Sequence, residues 1–166
     1  SGGAQIVLNT ALEYPDNVKA VIADSFEGEE SVAFFSENIF AERNKDKKKI
    51  MAKLFWFMMH GLDWKKVVDN DSKVIYEHHQ LYKKFFHKDL SNLRIPVLLT
   101  GSEQDEYISA LGNFDEIYGK IISKIPTAQT KIYSTGKHPA SLTVGKQYID
   151  DLIEFIHSTQ QLNILE

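Results

Sequence analysis

Apolar and polar positions follow three regimes along this chain. From Ala4 to Glu13, the residues Ile6, Val7, Ala11 and Leu12 recur at helical spacing, and Pro15 discourages continuation beyond Tyr14, so a helix is predicted here. Val18 to Ala23 is a short apolar run interrupted only by Lys19 and ending at Asp24-Ser25, the pattern of a buried parallel strand. From Glu29 to Asp89 no strand pattern occurs. Val32, Phe35, Ile39 and Phe40 form one helical stripe, and Ile50, Leu54, Phe57 and Met58 a second. Val74, Ile75, His78, Leu81, Tyr82 and Phe85 suggest a third, with Gly61 and Asp69-Asn70-Asp71 as the breaks. Alternation then returns: a strand from Ile95 to Thr100, a helix from Ala110 to Lys124 carrying Phe114, Ile117, Tyr118 and Ile121, a strand from Thr130 to Tyr133, and a last helix from Val144 to His157.

Strand, helix, strand, helix implies an α/β fold in which about three parallel strands are joined by right-handed crossovers and flanked by helices. The predicted divisions are 1–28, a helix and following strand of the core; 29–90, a helical cap insertion; 91–158, the second part of the core; and 159–166, a polar tail. Helices inserted between buried strands suit a lid over the crevice at the strand ends. The aromatic residues Phe34, Phe35, Phe40, Phe55, Trp56, Phe57 and Trp64 are expected mainly in helix packing, where periodic aromatic stripes mark burial, and some are suited to line an apolar pocket.

Two strand ends carry the candidate chemistry. Ile95-Pro96-Val97-Leu98-Leu99-Thr100 breaks into Gly101-Ser102-Glu103-Gln104-Asp105-Glu106, and Lys131-Ile132-Tyr133 breaks into Ser134-Thr135-Gly136-Lys137-His138-Pro139. Loops at the carboxyl ends of parallel strands converge on a common crevice, so an acid and a histidine delivered this way can meet as half of a catalytic triad. Asp105 is the candidate acid, with Glu103 and Glu106 as rivals and a solvated acidic loop as the alternative. His138 is the candidate general base, since imidazole takes and returns protons near neutral pH; a loop histidine without a role is the alternative. His78 and His79 are adjacent, and His60, His87 and His157 lack partner spacing, so no metal site is expected. The missing half of the triad is a nucleophile before Asp105, and the chain opens Ser1-Gly2-Gly3.

The order Ser1, Asp105, His138 resembles the α/β-hydrolase superfamily, whose triad runs nucleophile, acid, histidine along the chain. Ser1-Gly2-Gly3-Ala4 leading into a helix that ends Glu13-Tyr14-Pro15-Asp16-Asn17-Val18 is similar to the nucleophile-elbow helix and the strand after it. Pro96-Val97-Leu98-Leu99-Thr100-Gly101 followed by Asp105 is similar to strand seven and the acid loop, and Gly136-Lys137-His138-Pro139 before a final amphipathic helix to the histidine loop. The helical insertion sits where the family carries its cap. The cap tryptophan and the Gly136-Lys137-His138 loop most resemble small-ester hydrolases of the valacyclovir-hydrolase type. The resemblance implies a serine esterase with Ser1 as nucleophile, the Gly2 amide in the oxyanion hole, a small ester as substrate and no cofactor. Alternatively, Ser1 occupies the variable elbow position and the nucleophile lies upstream, or Ser-Gly-Gly is a tag remnant. The family places five strands before the elbow, and none precedes Ser1 here. The expectation is a fragment with little activity of its own, or pairing through the sheet edge beside Val18 to Ala23, with a second chain or with the missing strands. A noncatalytic α/β interaction module and an N-terminal nucleophile hydrolase using the Ser1 amine are the competing readings.

Composition narrows this picture in three ways. At 43% hydrophobic and 25% charged, the 166 residues suit one globular domain, and the longest strongly apolar stretch, Leu54 to Met59, is far shorter than the roughly 18 residues a spanning helix requires. A net charge of -4 argues against a general nucleic-acid binder, which needs clustered Lys and Arg; the dense run Lys45-Asp46-Lys47-Lys48-Lys49 reads as a solvated helix face. With no cysteine and no basic segment leading into an apolar one near Ser1, neither disulfides nor a secretory signal is expected, and a cytoplasmic setting is favoured.

Overall fold

β2 (Val97–Ser102) is the centre of the sheet, with all six residues buried. The computed structural model describes residues 2–162. Among them β2 pairs in parallel with β1 (Val21–Asp24) on one side and with β3 (Ala128–Tyr133) on the other, giving the order β1-β2-β3. The registers Val21↔Val97 and Ser102↔Tyr133 bring the carboxyl ends of neighbouring strands to one edge. This is the expected parallel α/β sheet with flanking helices and an inserted helical segment, the architecture of a partial α/β-hydrolase core with its cap.

Side chains alternate across the strands, so the sheet has two covered faces. Val21, Ala23, Val97 and Leu99 join one core cluster with Leu8 and Ala11 of α1 (Gly2–Glu13) and with Phe114, Tyr118 and Ile121 of α5 (Phe114–Ile122). Tyr133, at the end of β3, clusters instead with Ala140 of α6 (Ala140–Thr143) and Tyr148 of α7 (Lys146–Leu162). Asn113 caps α5 by accepting from the Glu116 amide at 2.8 Å, and Asp115 and Glu116 complement the positive end of that helix. Gly101 lets α5 approach, because a Cβ there would lie 2.4 Å from two carbons of the Phe114 ring.

Several expected boundaries and faces shift. β1 begins at Val21 rather than Val18, because Pro15–Asn17 forms a 3-10 turn and strand pairing starts only opposite Val97. β2 runs on through Gly101-Ser102, beyond Thr100. On α1 the buried face is Ala4, Leu8, Ala11 and Leu12, while Ile6 and Val7 are exposed. The last helix, α7, begins at Lys146 rather than Val144 and continues beyond His157 to Leu162, and the short α6 precedes it.

Glu30–Phe85 forms a compact unit of its own. It consists of α2 (Ala33–Asp46), α3 (Ile50–His60) and α4 (Trp64–Leu81), with Gly61 ending α3 at a φ of 61° as expected. Asp69-Asn70-Asp71 does not break a helix. It lies inside α4, where Asp71 pairs with Arg43 at 3.1 Å and Asp69 with Lys47, tying α4 to α2. The buried residues of α4 are Val68, Ser72 and His79 rather than the stripe from Val74 to Phe85, and Ser31 holds the His79 Nδ1 at 2.7 Å. The aromatic residues also depart from expectation. Trp56 is buried and stacks on Trp64 at 5.6 Å, but Phe34, Phe40, Phe55 and Phe57 are exposed.

Candidate active site

Adjacent parallel strands place Asp105 and His138 side by side. Asp105 follows β2 and His138 follows β3, and the Glu103 amide donates to the Tyr133 carbonyl at 2.9 Å, pinning the start of one loop to the end of the other strand. The Asp105 amide donates to the Ser102 carbonyl at 3.0 Å, turning the chain back over β2. The side chain of Asp105 is fully buried, and both its oxygens are used. Oδ1 accepts from the amides of Tyr107 at 3.0 Å and Ile108 at 3.1 Å, and Oδ2 meets His138 Nδ1 at 2.8 Å. Burial works against the carboxylate, but the hydrogen bonds from His138, Ile108 and Tyr107 and the pull of the imidazole outweigh it, holding Asp105 below the usual carboxylate range. An ionised carboxylate only accepts, so Nδ1 carries the proton that joins the pair. Nε2 is therefore the imidazole nitrogen left to take up a proton.

The histidine loop is held from several sides. Gly136 has a φ of 116°, and a Cβ there would lie 2.7 Å from Val144 Cγ2. Its carbonyl accepts from Ser102 Oγ at 2.6 Å, and the Thr143 hydroxyl both accepts from the Lys137 amide at 2.9 Å and reaches the Lys137 carbonyl at 2.6 Å. The His138 amide donates to Glu106 Oε2 at 3.2 Å, and the Tyr107 ring stands edge-on to the imidazole with centroids 5.0 Å apart.

On the residues after His138, a further polar group fixes the chain. Asp24, at the end of β1, accepts from Thr100 Oγ1 at 2.8 Å and from the Ser141 amide at 2.9 Å, while Ser25 Oγ accepts from the Ala140 amide at 3.1 Å. Thr100 Oγ1 also meets the Tyr148 hydroxyl at 3.3 Å, and the Tyr118 hydroxyl donates to the Thr100 carbonyl at 2.9 Å. Burial pushes the Tyr118 phenol far above its usual range, so it remains a donor. All three strands thus contribute to fixing one imidazole.

No protein-family model and no curated protein matches the chain. Solved structures do. NosK from Streptomyces actuosus superposes with a TM-score of 0.69 at 12% identity, over 95% of this chain and 66% of NosK. Proline iminopeptidase from Mycobacterium smegmatis gives 0.51 at 13% identity over 96% and 64%, and MenH from S. aureus 0.50 at 14% over 92% and 65%. The fold is that of part of an α/β-hydrolase. The chain spans about two thirds of the length of each of these proteins.

Of the residues singled out from the sequence, Asp105 and His138 are brought together, whereas Glu106 binds a backbone amide and Glu103 is exposed. Ser1 lies outside the described residues. Gly2 is the exposed first residue of α1, and a Cβ at Gly2 or Gly3 would meet nothing closer than 3.9 Å, so packing among the described residues does not require glycine at either position. Asp24, Ser25, Ser102 and Thr143 complete the supports of the histidine loop without a sequence motif of their own. An acid and a serine closing a buried strand were the one available signal for the first two. Among the described residues, no group of three or more His, Cys, Asp or Glu is placed to hold a metal ion, and no helix is long and apolar enough to cross a membrane.

Proposed function

We propose that the protein in its complete natural form is a serine hydrolase of small esters or related carbonyl compounds, with Asp105 and His138 as the acid–base half of its triad. The observation that carries this reading is the 2.8 Å bond between a fully buried Asp105 and His138 Nδ1 at the carboxyl edge of a parallel sheet. In this mechanism the nucleophilic serine, assigned to Ser1, attacks the substrate carbonyl as its proton passes to His138 Nε2. Asp105 stabilises the imidazolium that forms. The Gly2 amide contributes one donor to the oxyanion. Collapse of the tetrahedral intermediate transfers the proton from Nε2 to the leaving alcohol and leaves an acyl-enzyme, which water hydrolyses by the same relay. The small-ester assignment draws on the tryptophan of the helical unit and the Gly136-Lys137-His138 loop. Upstream strands, where the protein has them, would pair along the outer edge of β1.

The test is hydrolysis of short-chain aryl esters by the protein expressed with its complete natural sequence. His138→Ala is expected to lower kcat/KM by at least about a thousandfold with little change in KM, since the histidine acts on the transition state. Turnover equal to the parent would refute the assignment.

A further inference from the structure

The helical unit carries a surface that its own packing leaves uncovered. Within α3 only Trp56 is buried. Met51, Leu54, Phe55, Met58 and Met59 are between 50% and 76% exposed, and Leu62, just beyond the helix, is 91% exposed. At 100° per residue, the exposed positions from Ile50 to Met59 sweep an arc of about 200° without a charge, with Lys53 at its margin and Trp56 on the opposite side. Apolar exposure of this breadth marks an interaction surface. Beside it, Ile50, Lys53, Leu54, Phe57, Trp64 and Lys65 line an open groove of about 470 Å³.

Charge identifies the occupant. The chain as a whole is at -4, yet residues 45–66 contain seven lysines against two aspartates. Lys45, Lys48, Lys49, Lys53, Lys65 and Lys66 are all exposed, and they bracket the apolar arc before, within and after α3. An apolar helix face bordered by lysines, on a protein otherwise acidic, matches an interface that is hydrocarbon beneath and negative at its surface. The acidic remainder is repelled from the same surface, so the lysine-rich side leads. We propose that α3 and its flanking lysines dock on bilayers rich in anionic phospholipid, with the apolar arc entering the headgroup–acyl boundary. A second copy of the chain would bring lysines against lysines. Docking of this kind does not depend on the hydrolase assignment.

The test is cosedimentation of the chain with vesicles of phosphatidylcholine, with and without one third phosphatidylglycerol, together with emission from its two tryptophans. The chain is expected to pellet with the anionic vesicles and to remain in solution with the neutral ones. Emission should shift to the blue as half-buried Trp64 loses water, and binding should weaken as salt rises. Met51→Glu with Met58→Glu, at positions 74% and 76% exposed, should abolish pelleting without changing the circular dichroism or urea midpoint. If that pair unfolds the protein, Leu62→Glu carries the same test. Lys48→Ala and Lys66→Ala should each weaken partition by about fivefold. Failure to pellet with anionic vesicles, equal pelleting with both compositions, or indifference to the glutamate substitutions would overturn the proposal. So would a dimer in ultracentrifugation that Met51→Glu with Met58→Glu dissociates while vesicles go unbound.

Discussion

Replacing Asp105 by asparagine changes one oxygen into an NH2 group, and the surrounding donors decide which way the new amide turns. In the parent, Oδ1 serves two backbone amides and Oδ2 one imidazole nitrogen. An asparagine that keeps its oxygen on the Tyr107 and Ile108 amides retains two bonds and turns its NH2 on His138. The opposite orientation keeps one bond and sets the NH2 against two backbone donors. The first arrangement wins, and it requires His138 to present a lone pair at Nδ1 and carry its proton on Nε2. The tautomer therefore inverts. Hydrogen bonds to a charged acceptor contribute about 1.5–3 kcal/mol and neutral ones about 0.5–1.5, so three bonds losing their charge cost about 3 kcal/mol. Because the Asp105 carboxyl lies below its ordinary value in the folded chain, the carboxylate's contribution is complete above the unfolded value of about 3.9 and is lost as pH falls through the lower folded value. The parent and Asp105→Asn should thus differ by a constant amount near neutrality and converge below about pH 4. Urea unfolding measures the gap, and long-range nitrogen–proton NMR of the imidazole reads the tautomer. A difference under about 1 kcal/mol, with the proton still on Nδ1, would refute this account of the pair.

Two further substitutions probe the supports. Gly136→Ala forces a side chain into a φ of 116° with its Cβ 2.7 Å from Val144 Cγ2, and a loss of about 2–4 kcal/mol in urea unfolding is expected, partly restored by Val144→Ala. Asp24→Ala strips the acceptor from Thr100 Oγ1 and the Ser141 amide; a loss of about 2–3 kcal/mol and faster hydrogen exchange at Ser141 are expected, with unchanged exchange at Ser141 contradicting the role given to Asp24.

What the sequence made legible was whatever depends on local order. A strand whose side chains are buried on both faces reads as an unbroken apolar run, which is why β2 stood out, and a strand end followed by an acid or a histidine marked Asp105 and His138. Phase was harder. Ile6-Val7 and Ala4-Leu8 satisfy the same helical period on α1, and only the position of the sheet decides which pair is buried. α3 is apolar nearly all round, so its sequence holds no cue that Trp56 turns inward. Asp69-Asn70-Asp71 has the composition of a break but lies within a helix because Arg43 and Lys47, 28 and 22 residues away, supply the countercharge. The same limit hid the contacts that position His138: Asp24 to Ser141 spans 117 residues and Ser25 to Ala140 spans 115. Such partners arise from the parallel register, and no local pattern encodes them.

The proposed reaction has the Asp105–His138 pair activate a serine. Its most direct measurement is labelling by a fluorophosphonate probe of the protein carrying its complete natural sequence, with the modified residue located by mass spectrometry. Covalent labelling of the serine at position 1, abolished in His138→Ala and strongly slowed in Asp105→Asn, is the predicted result. Labelling that is absent, that falls on another residue, or that persists at the parent rate in His138→Ala would contradict it.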